Sequence, residues 1–258
     1  MTAVDVLRHA DAASLAEAAA ARLVTTLVER IASAGRAHLC LTGGGIGTAV
    51  LRAMATSPAC DSVDWRQVEV WWGDERYLPE GSADRNETSA RAALLSHVPI
   101  PESQVHAMPG PWASGSDVDQ AAAEYAVTLA AAARPEDHAP VPAMDVLLLG
   151  IGPDAHVASL FPGQPALHDE RPVCAVRGAP KPPPTRITLT FPAINAAREV
   201  WILASGAEKA GAVRLALSDT AGAFQVPAAG VRGRERTLML VDEAAAGKLP
   251  PAMGRPGS

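Results

Sequence analysis

The sequence predicts an α/β fold with a mainly parallel sheet that is covered by helices on both faces. Continuous apolar runs recur along the chain, at 38–42, 68–72, 144–149, 199–204 and 237–241. Runs of this length without polar alternation are typical of strands that are buried on both faces of a parallel sheet. Alanine-rich helical segments lie between them, as expected of an α/β protein. Glycine or charged residues follow most of the runs, at the sheet edge where such folds bind ligands.

Chain length and composition are those of a globular protein. The chain has 258 residues, of which 48% are apolar and 19% charged. This length allows one large α/β domain or two small ones, with a sizeable core, and we expect one domain over 1–258. The last segment, 247–258, is rich in proline and glycine, and we expect it to be frayed.

Net charge and cysteine content indicate the cellular compartment and the kinds of partner to expect. The net charge is −6, so no basic surface favours nucleic acid. Cys40, Cys60 and Cys174 show no metal-binding spacing, and an odd count fits a reducing compartment. The N-terminus lacks the apolar core of a signal peptide, and no apolar run is long enough to cross a membrane. We therefore expect a cytoplasmic protein without a membrane or nucleic-acid partner, as a monomer or small homo-oligomer.

The N-terminal region predicts one amphipathic helix, Ser14 to Ala34. Ser14 and Glu17 have the spacing of a capping box. Leucine and isoleucine recur on one face, and Gly35 ends the pattern. The first strand is then expected only at His38.

The first glycine-rich turn follows the apolar run 38–42 and leads into a helix. Backbone N–H groups at such a turn, together with the positive end of the helix dipole, favour an anion. The pattern GGGIG is neither a Walker loop nor a dinucleotide fingerprint. A phosphate-binding loop and a plain tight turn remain open alternatives. The residues concerned are Thr42, Gly43, Gly44, Gly45 and Thr48.

A charged turn, Asp74-Glu75-Arg76, follows the apolar run 68–72. A solvated turn with a weak Arg–carboxylate pair is one interpretation, and a ligand-binding turn is the other. Helices are then predicted from Asp84 to Leu95 and from Asp117 to Ala133. The connection 99–115, with His106 and Trp112, receives no functional role, and 134–142 is the one plausible hinge.

The central stretch, 144–163, has the strongest chemical content. A buried-type strand runs into glycine and proline at 150–153, and Asp154 and His156 follow at once. A histidine beside such a turn is commonly a surface or capping residue. Here, however, it follows a strand end, and Asp154 can orient it. Histidine is the side chain best suited to proton transfer at neutral pH.

Two later segments bring cations to the same sheet edge. A strand is expected at 172–176. The proline-rich run 179–184, which contains Lys181, leads into a further predicted strand that begins at Arg186. The proline run could also be a loop or an SH3-type ligand. Lys209 lies in the first turn of a helix predicted to reach Leu217, where a cation is unfavourable for the helix dipole. An anionic ligand explains that lysine better than helix stability does.

Together these segments resemble the 6-phosphogluconolactonase family. The segments are LLLGIGPDAHVASLFPG, WGDERYLP with Asn86 beyond it, KPPPTRITLT ending in Ile194-Asn195, and SGAEKA. The family is a branch of a fold group that includes glucosamine-6-phosphate deaminase and ribose-5-phosphate isomerase. The chain departs from the family pattern at Ala155, where glycine is usual. If this position needs a positive φ, alanine costs about 1 kcal/mol or more.

The resemblance implies hydrolysis of 6-phospho-D-glucono-1,5-lactone without a metal or cofactor. His156 would be the general base, and Asp154 would orient it. Arg76 would lie beside the substrate with Asp74 in support, and Arg76 or backbone N–H groups would stabilise the oxyanion. The phosphate would be held by the glycine-rich turn with Thr42 and Thr48, by Arg186 and Lys209, and by Lys181.

Two other functions compete with this one. The deaminases of the fold group carry a catalytic Glu five residues after the histidine, and here that position is Phe161. A non-catalytic sugar-phosphate sensor would need a DNA-binding segment. Only about 35 residues precede the first predicted strand, and they are predicted to form one helix.

Overall fold

A computed structural model describes residues 3–111, 117–218 and 220–257. Trp112 lies outside these residues. The strands of the main sheet are β1 (Val4–His9), β2 (Ala37–Leu41), β3 (Val68–Trp72), β5 (Val146–Gly150), β8 (Glu199–Ala204), β9 (Arg236–Asp242) and β10 (Arg255–Pro256). Their order across the sheet is β10-β1-β9-β8-β5-β2-β3, and every pairing is parallel.

The central strands are buried as their composition predicts. All five residues of β2 and of β3 are buried, as are the first four of β5 and the last five of β8. The predicted mainly parallel α/β class is therefore confirmed. The carboxyl ends of β2, β3, β5 and β8 point to one edge of the sheet, which is where the predicted site motifs begin.

A second, antiparallel sheet was not predicted. It consists of β4 (Asp74–Arg76), β7 (Arg186–Leu189) and β6 (Val173–Val176), in that order. The charged turn after β3 is thus a short strand, and Arg76 lies directly opposite Arg186.

Helices lie between the strands. They are α1 (Ala12–Ala34), α2 (Gly44–Thr56), α3 (Asn86–Ala93), α4 (Val118–Ala132), α5 (Phe191–Ile194) and α6 (Ala210–Ala216). The helix predicted to continue from Ser205 to Leu217 begins instead with a 3-10 turn, Ala207–Lys209. No helix in the described part of the chain is long and apolar enough to cross a membrane.

The prediction for the N-terminal region is wrong in two respects. Strand β1 precedes the helix and pairs with β9, so the first strand does not begin at His38. The cap of α1 is Asp11, whose carboxylate accepts hydrogen bonds from the Ser14 backbone N–H and hydroxyl. An aspartate at the N-cap satisfies an unpaired N–H of the first turn, which leaves Ser14 inside the helix.

The C-terminal segment is attached to the sheet edge in its described part. Arg255 and Pro256 pair with Leu7 and Arg8 of β1, and the Gly257 N–H donates to the Arg8 carbonyl. The frayed tail remains a prediction for the segment as a whole.

The three cysteines are free and buried. Burial raises the pKa of each thiol, that of Cys174 to about 12.

Candidate active site

The loop after β5 brings His156 and Asp154 together. The Gly152 N–H donates to the His156 carbonyl, and the Ala155 N–H donates to the Gly152 carbonyl, so 152–156 forms a closed turn. Within it, His156 Nδ1 lies 2.6 Å from Asp154 Oδ1. A short contact to an ionised oxygen is a strong hydrogen bond. It holds the proton on Nδ1 and leaves Nε2 as the basic nitrogen, for which the described residues provide no partner.

Burial and charge set the protonation of this pair. Burial lowers the pKa of His156 below its ordinary value, although Asp154 acts in the opposite direction. Burial would raise the pKa of Asp154, but the hydrogen bond with His156 lowers it on balance. The imidazole is therefore neutral and the carboxylate ionised at pH 7, as a general base and its orienting group require.

The backbone geometry of this turn restricts which residues fit at positions 152 and 155. A Cβ on Gly152 would lie 1.9 Å from His156 Nδ1 and 2.3 Å from Asp154 Oδ1. Ala155 has φ +64°, in the left-handed region, as expected if the position requires positive φ. Its buried carbonyl accepts a hydrogen bond from the Ala228 N–H. The conformation thus fixes the loop against 227–230 at a backbone cost of about 1–2 kcal/mol for alanine.

The first glycine-rich turn lies beside this loop, at the N-terminus of α2. Gly43 is the N-cap, and a Cβ there would lie 1.9 Å from Asn86 Oδ1. Thr42 Oγ1 accepts from the Gly150 N–H, which ties this turn to the end of β5. The first-turn N–H groups of the 13-residue helix α2 therefore begin at the pocket, where they favour negative charge.

The small sheet presents charged side chains on one face. Asp74 is buried. Its Oδ2 accepts a hydrogen bond from the Ser159 hydroxyl at 2.7 Å and lies 3.9 Å from Arg186 Nη1. Arg76 and Arg186 are directly opposite on this sheet. Like charges in that register repel, and an anion between them removes the repulsion.

Arg186 is held by the proline-rich segment. Its guanidinium donates to the carbonyls of Lys181, Pro182 and Pro183, and it lies 5.7 Å from the centre of the Phe161 ring. Burial lowers the pKa of Arg186, and Arg76 acts in the same direction while Asp74 opposes it. The segment therefore holds the Arg186 side chain in place through three of its carbonyls.

Two lysines complete the positive side of the pocket. Lys181 Nζ lies 4.0 Å from Asp154 Oδ1, and its side chain is 45% exposed. Lys209 is half-buried, and burial followed by the charge of Lys181 lowers its pKa. Two cations that disfavour each other's charge are complementary to a dianion such as a phosphate ester.

These groups surround one cavity of about 250 Å³. It is lined by nine of the predicted site residues: Thr42, Gly43, Gly44, Asp74, Arg76, His156, Lys181, Arg186 and Lys209. Asp154 does not line the cavity, but it is hydrogen-bonded to His156, which does. Gly45 lines a neighbouring cavity that shares Gly43, Gly44 and Lys209 with this one, and Thr48 lies inside α2 without lining either cavity. A larger cavity of about 630 Å³ lies against α1 and contains none of the predicted residues.

Several supporting residues were missed as site residues. Asn86 lines the cavity and donates to the Asp74 carbonyl. Behind it, Glu75 accepts from the N–H groups of Arg76, Asn86 and Glu87, and the fully buried Arg85 donates to the carbonyls of Leu78 and Met108. Asn86 was part of the motif that carried the resemblance and could have been included. Ser159 gave no local signal, because its partner Asp74 is 85 residues away.

No three His, Cys, Asp or Glu side chains among the described residues are placed to hold one metal ion. The chemistry of the cavity is that of a base, backbone N–H groups and four side-chain cations. The fold and this site define a protein of the parallel α/β class that acts on a small anionic ligand.

The chain belongs to the family described as glucosamine-6-phosphate isomerases/6-phosphogluconolactonase, whose sequence pattern matches residues 10–240. It is 57% identical over 254 residues to a 6-phosphogluconolactonase of Streptomyces coelicolor, covering 97% of this chain and 96% of that protein. It is 50% identical over 242 residues to a 6-phosphogluconolactonase of Mycobacterium tuberculosis, covering 93% and 96%.

Solved structures agree with this assignment. The 6-phosphogluconolactonase of Trypanosoma brucei superposes with a TM-score of 0.81 at 27% identity, covering 97% of this chain and all of that one. A monomeric glucosamine-6-phosphate deaminase has a TM-score of 0.77 at 20% identity, covering 95% and 100%. The second likeness concerns the fold alone.

Proposed function

We propose that this chain hydrolyses 6-phospho-D-glucono-1,5-lactone to 6-phospho-D-gluconate, a step of the oxidative pentose phosphate pathway. The observation that carries the proposal is the His156–Asp154 pair facing a cavity with Arg76, Lys181, Arg186 and Lys209. A base and a set of cations in one small cavity suit an ester that carries a phosphate. The names of relatives that are 50–57% identical over nearly the whole chain support the same substrate.

The reaction needs one base and a stabilised oxyanion. His156 Nε2 takes a proton from water as the water oxygen bonds to the lactone carbonyl carbon. The resulting oxyanion is stabilised by Arg76 or by backbone N–H groups of the glycine turns. When the carbon–ring-oxygen bond breaks, the imidazolium returns its proton to the ring oxygen. Asp154 keeps the ring oriented and stabilises its positive charge. A lactone is an activated ester, so no covalent intermediate is required.

The cations of the cavity come from different elements. Arg76 and Arg186 lie opposite each other on the small sheet, and Lys209 and the glycine-rich turn before α2 line the same cavity. We assign the phosphate to Arg186, Lys209 and the glycine-rich turn, with Lys181 as a further contact. Arg76, with Asp74 in support, is assigned to the lactone end.

Isomerase or deaminase chemistry is disfavoured by Phe161. This residue stands where deaminases carry a catalytic Glu, and its buried ring lies 4.5 Å from the His156 ring. It provides no proton acceptor for ring opening. The packing of Phe161 against His156 and Arg186 instead excludes water from one side of each.

The proposal also covers the setting of the enzyme. We place it in the cytoplasm as a cofactor-independent single domain, monomeric or in a small homo-oligomer. Its unpaired cysteines are compatible with a reducing compartment.

The test is lactone hydrolysis by the wild-type protein, by His156→Ala and by the control His138→Ala. His138 is exposed and lines none of the cavities described. The substrate is generated in situ by oxidation of glucose 6-phosphate, and its loss is compared with spontaneous hydrolysis. We expect the wild type and the control to accelerate the reaction, and His156→Ala to lose about 10²–10⁴-fold in kcat. An active His156→Ala protein would refute the mechanism, and an inactive wild type would refute the function.

A further inference from the structure

Lys209 is the cation of the cavity whose placement needs an explanation. Arg186 is held by three carbonyls, Arg76 donates to the Asp84 carbonyl, and Lys181 lies 4.0 Å from Asp154. For the Lys209 ammonium group, no hydrogen bond or ion pair is found within residues 3–111, 117–218 and 220–257. Its position therefore depends on the backbone that carries it.

That backbone turn is attached to the neighbouring strand by one buried carboxylate. Asp242, the last residue of β9, is 5% exposed. It accepts a hydrogen bond from the Ser205 hydroxyl at 2.6 Å and from the Gly206 N–H at 3.1 Å, and its other oxygen accepts from the Ala245 N–H at 2.7 Å. Ser205 and Gly206 are the two residues that join β8 to the helical turn containing Lys209.

The backbone conformation of Gly206 determines the direction in which the chain continues to Lys209. Its φ of +100° turns the chain sharply, in a conformation that L side chains rarely adopt. The Gly206 carbonyl then accepts a hydrogen bond from the Lys209 N–H at 3.0 Å. Lys209 thus lies three residues after Gly206. The start of this turn is held by the hydrogen bond from Gly206 to Asp242 of β9, and its end is closed by the hydrogen bond from Lys209 to Gly206.

We propose that Asp242, with Ser205, is a positioning residue for substrate binding that fixes Lys209 in the cavity. The proposal rests on the proposed function and deepens it. Asp242 is not among the residues that line the cavity, so it acts through the turn and not by contact with substrate.

The arrangement has a physical advantage over a direct ion pair. A carboxylate beside Lys209 would hold the lysine but would also compete with the phosphate for its charge. Asp242 instead directs its oxygens to backbone N–H groups and a hydroxyl, where charge-assisted hydrogen bonds are strong. The lysine is prepositioned while its own donors remain available for an anion, which reduces the ordering cost on binding.

The test is a double-mutant cycle on the hydrolysis of 6-phospho-D-glucono-1,5-lactone. The variants are Asp242→Asn, Lys209→Ala and the double variant, with Glu243→Gln as control. Glu243 is the neighbour of Asp242 but forms an exposed pair with Arg8. Asp242→Asn should raise KM about tenfold with kcat within about twofold, as expected when hydrogen bonds to a charged group are lost. The control should match the wild type.

The cycle separates positioning from general support of the fold. If Asp242 acts through Lys209, Asp242→Asn should change KM little once Lys209 is already alanine. An equal effect in both backgrounds, or a loss confined to kcat, would overturn the proposal while leaving the function intact. If the wild type does not hydrolyse the lactone, the proposed function fails and the inference fails with it.

A milder variant keeps the test decisive if Asp242→Asn does not fold. Ser205→Ala removes one of the hydrogen bonds to Asp242 and leaves the carboxylate with its two backbone donors. We expect a KM increase of about threefold, again absent in the Lys209→Ala background. An unchanged KM for Ser205→Ala would then count against the proposal.

Discussion

The two sheets contribute different parts of the cavity. The parallel sheet contributes turns: β2 leads into the glycine-rich turn, β5 into the loop with His156, and β8 into the turn with Lys209. The antiparallel sheet contributes side chains that project from the strands themselves, namely those of Asp74, Arg76 and Arg186.

The difference lies in how each side fixes its groups. On the parallel-sheet side, position depends on backbone conformations that few residues adopt, such as the positive φ of Ala155 and Gly206. On the antiparallel side, strand register fixes the groups, and Asp74 and Arg76 share a face because side chains alternate along a strand. Ser159 joins the two sides, because it belongs to the loop after β5 and its hydroxyl donates to Asp74. We expect changes to the loop after β5 to act on the chemical step, whereas changes to Arg186 on the small sheet, and to the turn with Lys209, should act on binding.

The largest effect should come from Gly152→Ala, which disrupts the turn side. The added Cβ would overlap both His156 and Asp154, so the pair must separate. We expect kcat to fall by at least about 10²-fold, as for loss of a general base, with KM changed less. Steady-state kinetics together with circular dichroism would check this. Gly211→Ala in α6 is the control glycine variant, since its φ is not positive and a Cβ there would meet only Lys248 Nζ, at 3.9 Å. A Gly152→Ala protein with normal kcat would contradict the assigned turn geometry.

Arg186→Lys tests the strand side. Lysine keeps the charge but cannot reproduce the donors to the carbonyls of Lys181, Pro182 and Pro183 or the fork offered to a phosphate. We expect KM to rise about tenfold or more, as for loss of charge-assisted hydrogen bonds, while kcat changes less. Exposed Arg214→Lys is the matched control. A pure kcat effect would contradict the assignment of Arg186 to binding.

The pH profile examines the turn side without a mutation. Because burial lowers the pKa of His156, its basic form should persist to below pH 6.5. We expect kcat/KM to be flat near neutrality and to fall on the acid side, about tenfold per pH unit once pH is below that pKa. Rates measured from pH 5 to 8, corrected for spontaneous hydrolysis, would show the limb. An acid limb centred above pH 6.5 would contradict burial as the dominant influence.

The smallest effect should come from Ala155→Gly. Glycine removes the cost of a positive φ but has more freedom in the unfolded chain. We expect the free energy of unfolding to rise by about 1 kcal/mol or less, with kcat unchanged or slightly higher. Urea denaturation would measure it, with Ala158→Gly as a second variant at positive φ. A clear loss of stability would mean that the methyl group of Ala155 contributes more by packing than its φ costs.

The sequence could predict the parallel sheet because its strands are buried apolar runs. It could not predict the antiparallel sheet, since the residues of β4 are all charged and pair with a strand more than 100 residues away. Strand β1 was missed because Arg8 and His9 interrupt its apolar pattern. The glycine turns and the Asp-x-His motif were visible because they are local.

Residues that support the site were harder to find than residues that line it. Ser159 and Asp242 act through partners 85 and 37 residues away, and nothing in their immediate sequence distinguishes them. Gly45 and Thr48 were included because they continue a motif, although both lie within α2 and neither lines the cavity. Local patterns thus predicted most of the residues that line the cavity, whereas the residues that support them depend on the folded arrangement of the strands.

The burial of Cys40, Cys60 and Cys174 has a practical consequence for biophysical work. Thiolates are the species that react with maleimides, and burial with a raised pKa keeps all three thiols protonated and shielded. The native chain should therefore remain unlabelled. A cysteine introduced at Val127, which is 69% exposed on α4, would give a single attachment point for a dye or spin label without removal of the native cysteines.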